Sequence, residues 1–281
     1  MARPTLPAKF AGMMHTPQTR PVGDHLREWR RRRRLSQLDL ALDAEISTRH
    51  LSFIETGRSQ PSRDMVLRLA DQLEIPQRER NVLLVSAGFA PVFPERPLDH
   101  PGMAAARQAV ELVLAAHEPW PALAVDRHWN LVAANRAVGA LLAAEDQSLL
   151  APPVNILRLS LHPQGLAPII VNFADWRAHA LERLHRQVAA SADPVLAQLH
   201  AELATLPSPP GAARDVAHED FSGVAVPLQL RTPIGELNFF STVTVFGTPV
   251  DVTLTELAIE SFFPADPQTA EALRGVQLPS H

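Results

Sequence analysis

The sequence predicts two domains: an all-α domain of five short helices, then an α+β domain in which helices pack on an antiparallel sheet. Three observations predict this. Residues 22–89 keep a helical spacing of apolar side chains, broken only by short polar punctuation. FAPVFPERPLDHPG, Phe89–Gly102, holds four prolines and reads as a linker. Beyond it, helical segments give way to runs that alternate apolar and polar residues with the period of a strand. Charge divides the same way. Residues 1–94 hold 15 Lys and Arg against 10 Asp and Glu, and the remaining residues 11 against 20, so a net +5 is joined to a net −9.

The boundaries expected are an arm over 1–20, a helical domain over 21–92, a linker over 93–102, an α+β domain over 103–267 and a polar tail over 268–281. With 46% hydrophobic residues the chain can bury a core. It has no cysteine, so disulfides and thiolate metal sites are excluded. MARPTLPAKFAGMMH lacks the apolar core of a secretory signal, and no run reaches the roughly 18 apolar residues of a membrane span. A cytoplasmic protein without membrane association is expected.

The helices can be punctuated in order. The first is expected over about Asp24–Arg34. Ser36 is the N-cap candidate of the second, with Asp39 three residues on, close to a capping box. After the turn AEIS, Ser47 caps a third helix that runs through Glu55, and Gly57 closes it. Ser62 caps a fourth, with Met65, Val66, Leu69, Ala70 and Leu73 as its apolar stripe. Pro76 opens a fifth, with Val82, Leu83 and Val85 facing the core and Gly88 as the stop.

Two short helices across a tight turn form a helix-turn-helix unit, whose second helix enters the major groove of DNA. LSQLDLALDAEISTRHLSFIETGRSQPS resembles the lambda-repressor-like, xenobiotic-response-element family over about residues 22–89. Its pattern is LSQ-x-x-LA, a turn, then S-x-x-x-(L/I)-S-x-(I/L)-E-x-G-R-x-x-P. Glu45 departs from it, standing where the turn commonly has glycine.

WRRRRRLSQ, Trp29–Gln37, contains five consecutive arginines, which on a helix cannot all face one partner. Arg30 and Arg33 share a face with the core residue Leu26. The resemblance implies that Arg30 pairs with Glu55 at the end of the reading helix, as a structural ion pair. Arg27, Arg31 and Arg34 form another face, open to phosphate or to solvent. Base reading is expected from Thr48, Arg49, His50 and Ser52; arginine suits guanine O6 and N7. Phe53 could touch a thymine methyl or serve packing. By resemblance Gln37 and Arg58, with Arg31 and Arg34, would hold phosphates.

In the second domain PALAVDRHWNLVAANRAVGALL, Pro121–Leu142, reads as strand, turn, strand, helix. Helical segments follow over Val154–Leu166 and Phe173–Leu206. SGVAVPLQLRTP, GELNFFSTVTVFG and DVTLTELAIESFFP read as strands, with RTPIGE as a hairpin turn. The opening hairpin resembles that of PAS sensor domains. NILRLSLHPQGL, VNFADWRAHALERL and STVTVFGTPVDVTLTELAIESFFPAD resemble the MmyB-like ligand-binding domain, over about residues 101–267.

That resemblance implies a PAS-like fold holding an apolar small molecule, with a fatty acid as the leading candidate. Arg158, His162, Asn172, Trp176 and Arg177 fall in its motifs, and Trp176 and Phe246 are the aromatic candidates. An arginine in an apolar pocket could hold a carboxylate. Arg158 could equally pair with Asp251, Glu256 or Glu260, and His162 could cap a turn.

No HExxH, GxSxG or phosphate-binding glycine loop occurs, so no metal, cofactor or catalytic residue is expected. The reading is a DNA-binding regulator, a repressor acting as a homodimer on operator DNA and responding to an apolar effector. A C-terminal domain that only dimerises is a second reading, and a hydrolase using the pocket a third.

Overall fold

The computed structural model describes residues 20–142, 148–210, 226–247 and 249–275. Of the expected arm over 1–20 only Arg20 is among them, and part of the predicted strand SGVAVPLQLRTP and the end of the predicted tail lie outside them. The chain divides into two units between Val92 and Phe93.

The first unit is five helices, α1 (Val22–Arg32), α2 (Gln37–Asp43), α3 (Thr48–Glu55), α4 (Arg63–Gln72) and α5 (Gln77–Ser86). Their starts are set by short polar side chains that satisfy orphan amides. Ser36 Oγ accepts from Asp39 N while Asp39 accepts from Ser36 N, a complete capping box. Ser47 Oγ accepts from His50 N, and Ser62 Oγ from Met65 N. Leu26, Leu40, Leu51, Ile54, Val66, Leu69 and Leu73 are buried between the helices. On α5 the buried pair is Leu83 and Leu84. Val82 and Val85, expected in the core, are 39% and 50% exposed. In the run VLLV only the two central positions reach the other helices.

Two backbone positions matter to the placement of α3. Gly23 lies so close to the end of α3 that a Cβ there would stand 2.3 Å from the Ile54 carbonyl oxygen. Glu45, in the turn before α3, has φ 54°, the left-handed region where a side chain is disfavoured.

In the second unit a 3-10 turn at Pro101–Met103 leads into α6 (Ala104–Ala116). The hairpin β1 (Ala122–Val125) and β2 (Leu131–Ala134) and the helix α7 (Arg136–Leu142) follow. Next come α8 (Ile156–Leu161), α9 (Phe173–Ser191) and α10 (Pro194–Thr205). The chain continues as β3 (Leu228–Thr232), β4 (Gly235–Val245), the one-turn α11 (Val252–Thr255), β5 (Ala258–Pro264) and α12 (Pro267–Arg274). The five strands form an antiparallel sheet in the order β2-β1-β5-β4-β3.

Alternation gives each strand two faces. Leu123, Val125, Leu230, Leu237, Phe239 and Phe262 pack toward α8, α9 and α10 in the main core. Ala122, Ala124 and Ile259 point the other way, against Val110 and Leu114 of α6. With both faces covered, β1 is buried at all four residues. Buried Asn135 ties this corner together, accepting from Ala122 N and Val138 N and donating to the Leu114 and Trp120 carbonyls.

Several elements differ from expectation. The single helical segment expected over Phe173–Leu206 is broken where Ala192 turns left-handed and Asp193 caps α10 ahead of Pro194. DVTLTELAIESFFP opens with a single helical turn, because Asp251 accepts from Thr253 N and starts α11 before β5 begins. The stretch expected as a polar tail from residue 268 instead begins inside α12. Asp266 caps it, Leu273 is buried, and Thr269 Oγ1 accepts from Asn238 N of β4. The proline-rich segment belongs partly to this unit: Pro94 O accepts from Val252 N at 2.8 Å, and Arg96 lies 3.6 Å from Asp251. Among the described residues, no helix is long and apolar enough to cross a membrane.

Candidate functional sites

The first site is the exposed start of α3. Arg49 and His50 are exposed, and Thr48 and Ser52 half-buried. The Arg49 guanidinium lies 5.3 Å from the centre of the Phe53 ring and that of Arg58 6.0 Å from it. Phe53 is thus a shelf for two cations, each contact contributing about 0.5–1 kcal/mol at an exposed site. This orients Arg49 and Arg58 before any partner arrives.

The arginine tract divides by role. Arg30 is buried and donates from Nε to Glu55 Oε1 at 2.7 Å, from Nη2 to Glu55 Oε2 at 2.9 Å, and from Nη1 to the Leu35 carbonyl. Gln37 Nε2 donates to the same Glu55 carboxylate at 2.8 Å. Burial alone would discourage charge on Glu55. The hydrogen bonds from Arg30 and Gln37 and the fields of Arg30 and Arg27 outweigh it and hold the carboxyl below its ordinary value. Arg33 donates to the Leu73 and Glu74 carbonyls, closing the end of α4, and lies over Trp29. Arg32 pairs with Glu28. Arg31 and Arg34 are exposed. Arg27, expected beside them, instead donates to the Glu55 carbonyl and pairs with Asp24.

The second site is a cavity of about 100 Å³ between the sheet and the helices α7, α8 and α9. Its wall is mostly aliphatic and aromatic, with Leu123, Leu157, Leu230, Phe239 and Phe262 among the lining residues. Trp129 and Trp176 complete it, each with its indole N–H satisfied. Trp129 donates to Gln187 Oε1 and Trp176 to Ser160 Oγ, both at 2.7 Å. The polar lining is Ser160, His179, Arg183, Thr232 and Glu260. Arg183 donates from Nη1 to Glu260 Oε1, and its guanidinium lies 4.4 Å from the Trp129 ring centre. Burial, then the charges of Arg183 and Arg186, push the His179 imidazole below its ordinary value, against the opposing pull of Glu260.

A helix-turn-helix unit and an apolar cavity thus occur in one chain. Residues 106–275 match the model of the MmyB-like transcription regulator ligand binding domain, and residues 21–83 match a helix-turn-helix domain. The chain belongs to the MmyB-like family of transcription regulators. No curated protein matches it.

Within this MmyB-like domain only one of the expected ligand residues, Trp176, lines the cavity. Arg158 grips Glu202 through Nε and Nη2 at 2.6 and 2.7 Å, with both side chains about 40% exposed. Its acid partner is none of Asp251, Glu256 and Glu260. His162 caps the end of α8, its Nδ1 accepting from Gln164 N. Arg177 donates to the Ala204 carbonyl and to Ser208, tying α9 to the end of α10. Asn172 bonds the Pro227 carbonyl and Gln229 N of β3. Phe246 packs on the other face of the sheet, with the α6 cluster. The partners of all five are protein groups, and none of the five lines the cavity.

In the DNA-binding unit, one N–H of the Gln37 amide donates to Glu55. The residues that sequence reasoning missed are His179, Arg183, Glu260 and Ser160. A signal for two of them was present. Counting three, four and seven residues on from Trp176 gives His179, Ala180 and Arg183, all on the cavity face of α9.

Proposed function

We propose that this MmyB-like regulator binds operator DNA as a homodimer in the cytoplasm, represses transcription, and changes its DNA affinity when an apolar small molecule fills the C-terminal cavity. The observation that carries the reading is that cavity. A module serving only to dimerise would close its core, whereas here two tryptophans, five polar residues and an aliphatic wall surround open space. Arg49, held over Phe53, supports a base-reading role for α3. Two copies of α3 would read half-sites about one helical turn apart, roughly 34 Å.

Coupling between the sites is a linkage: the effector changes DNA affinity only by as much as it prefers one conformation of the regulator. Family resemblance suggests a fatty acid as effector. The lining supports its chain, and the head group is a separate question of charge. The cavity is somewhat smaller than the ~150 Å³ space that accommodates benzene. Affinity should therefore rise by roughly 0.8 kcal/mol per buried CH₂ and level off at a short chain.

Selection of binding sites from a random duplex library, repeated with and without an organic extract of the expressed protein, tests the reading. Enrichment of a two-fold-symmetric site, weakened or strengthened by the extract, is the expected result. Failure to enrich any site, or a site insensitive to every aliphatic compound tried, would overturn it.

A further inference from the structure

Resting on the reading of the cavity as a ligand site, a finer question is which head group it accepts. Glu260 sits inside β5, opposite Leu123 of β1 and Val243 of β4, and is only 5% exposed. A carboxylate in such a wall requires a cation, and Arg183 reaches across from α9 to provide it. The arginine charge is thereby already used. A second cation is not supplied by the lining, since burial beside Arg183 and Arg186 favours the neutral imidazole of His179. The polar wall is therefore neutral as a whole, although it contains ionised groups.

A carboxylate ligand entering this space would meet Glu260 as a like charge. Arg183 bonds Glu260 through Nη1 and keeps other N–H groups, but a carboxylate on those would share one cation with Glu260 and leave the buried set net negative. An uncharged head faces no such conflict. The Ser160 oxygen accepts from Trp176, so its O–H is left to donate. Among the described residues His179 has a ring contact with Trp176 at 6.0 Å and no hydrogen bond to either ring nitrogen. Neutral imidazole offers one donor and one acceptor. These groups match a hydroxyl, a carboxamide or a ketone on an aliphatic or small aromatic body.

We propose that the cavity selects uncharged amphiphiles, and that Glu260 is the specificity-determining residue that turns away carboxylates by occupying Arg183. Binding of hexanol, hexanamide and hexanoate to the full chain at neutral pH tests this. Calorimetry reads affinity, and the fluorescence of Trp129 and Trp176 reports entry. Hexanol or hexanamide should bind at least about tenfold more tightly than hexanoate, and Glu260→Gln should strengthen hexanoate about tenfold by freeing Arg183. Hexanoate binding to the unaltered protein as tightly as the alcohol would overturn the inference and leave the ligand site standing. No binding by any of the three would overturn both. The wild-type comparison decides the matter without the variant should Glu260→Gln fold poorly.

Discussion

Gln37 and Arg30 converge on one buried carboxylate: Gln37 Nε2 and Arg30 Nη2 both donate to Oε2 of Glu55, at 2.8 and 2.9 Å. The end of the reading helix is therefore anchored to α1 and to the start of α2 at the same point. Arg30→Ala leaves Glu55 buried without its main partner and should cost about 3–5 kcal/mol. Gln37→Ala removes one hydrogen bond to a charged group and should cost about 1.5–3 kcal/mol. Thermal unfolding of residues 20–92 measures both. Unchanged melting of Arg30→Ala combined with weaker DNA binding would return Arg30 to the DNA-facing surface.

The same carboxylate gives the first unit an acid limb. The Glu55 carboxyl lies lower in the folded state than in the unfolded chain, so its contribution is present above the ordinary carboxylate value and is lost as pH falls through the folded one. Stability of residues 20–92 should fall in that acidic window. Glu55→Gln should be less stable at neutral pH and show a flatter acid limb. Denaturant unfolding across a pH series tests this, and an equally steep limb in the variant would assign the effect to other groups.

Arg49 and Arg58 share the Phe53 ring but should differ in effect. Arg49→Ala is expected to relax preference at one base position per half-site, worth about 1–3 kcal/mol. Arg58→Ala should weaken binding evenly across sequences. Site selection with each variant separates the two roles, and an intact preference in Arg49→Ala would remove it as a base reader.

The ion pair of Arg158 with Glu202 is at the surface, so Arg158→Ala should change stability by less than about 1 kcal/mol and leave hexanol affinity unaltered. Trp176→Ala, which removes part of the cavity wall and the bond to Ser160, should abolish measurable hexanol binding. Calorimetry on the pair of variants distinguishes cavity residues from neighbours in sequence. Loss of binding in Arg158→Ala would mean that the head group reaches the protein surface.

The helices of the first unit were legible because their starts depend on local chemistry: Ser36, Ser47 and Ser62 each bond an amide three residues on. The break between α9 and α10 was also written locally, in Asp193-Pro194, but a long helical period over Phe173–Leu206 masked it. The cavity was the least legible part. Arg158 and Arg177 satisfy the same motif reasoning as Arg183, and only the packing of α9 on the sheet decides which arginine faces inward. The partner of Arg183 lies 77 positions away in sequence, a separation that no local pattern reports.

The left-handed turn before α3 constrains how this sequence can drift. At φ 54°, Glu45 is tolerated at a cost of about 1–2 kcal/mol, and its side chain is exposed. Variation there should sort by backbone shape before charge: glycine and asparagine gain, while valine, isoleucine and threonine lose. Glycine is a single nucleotide change from glutamate in the genetic code. The DNA-binding unit therefore carries a reserve of stability one mutational step away, from which it could absorb damaging changes elsewhere in its reading helix.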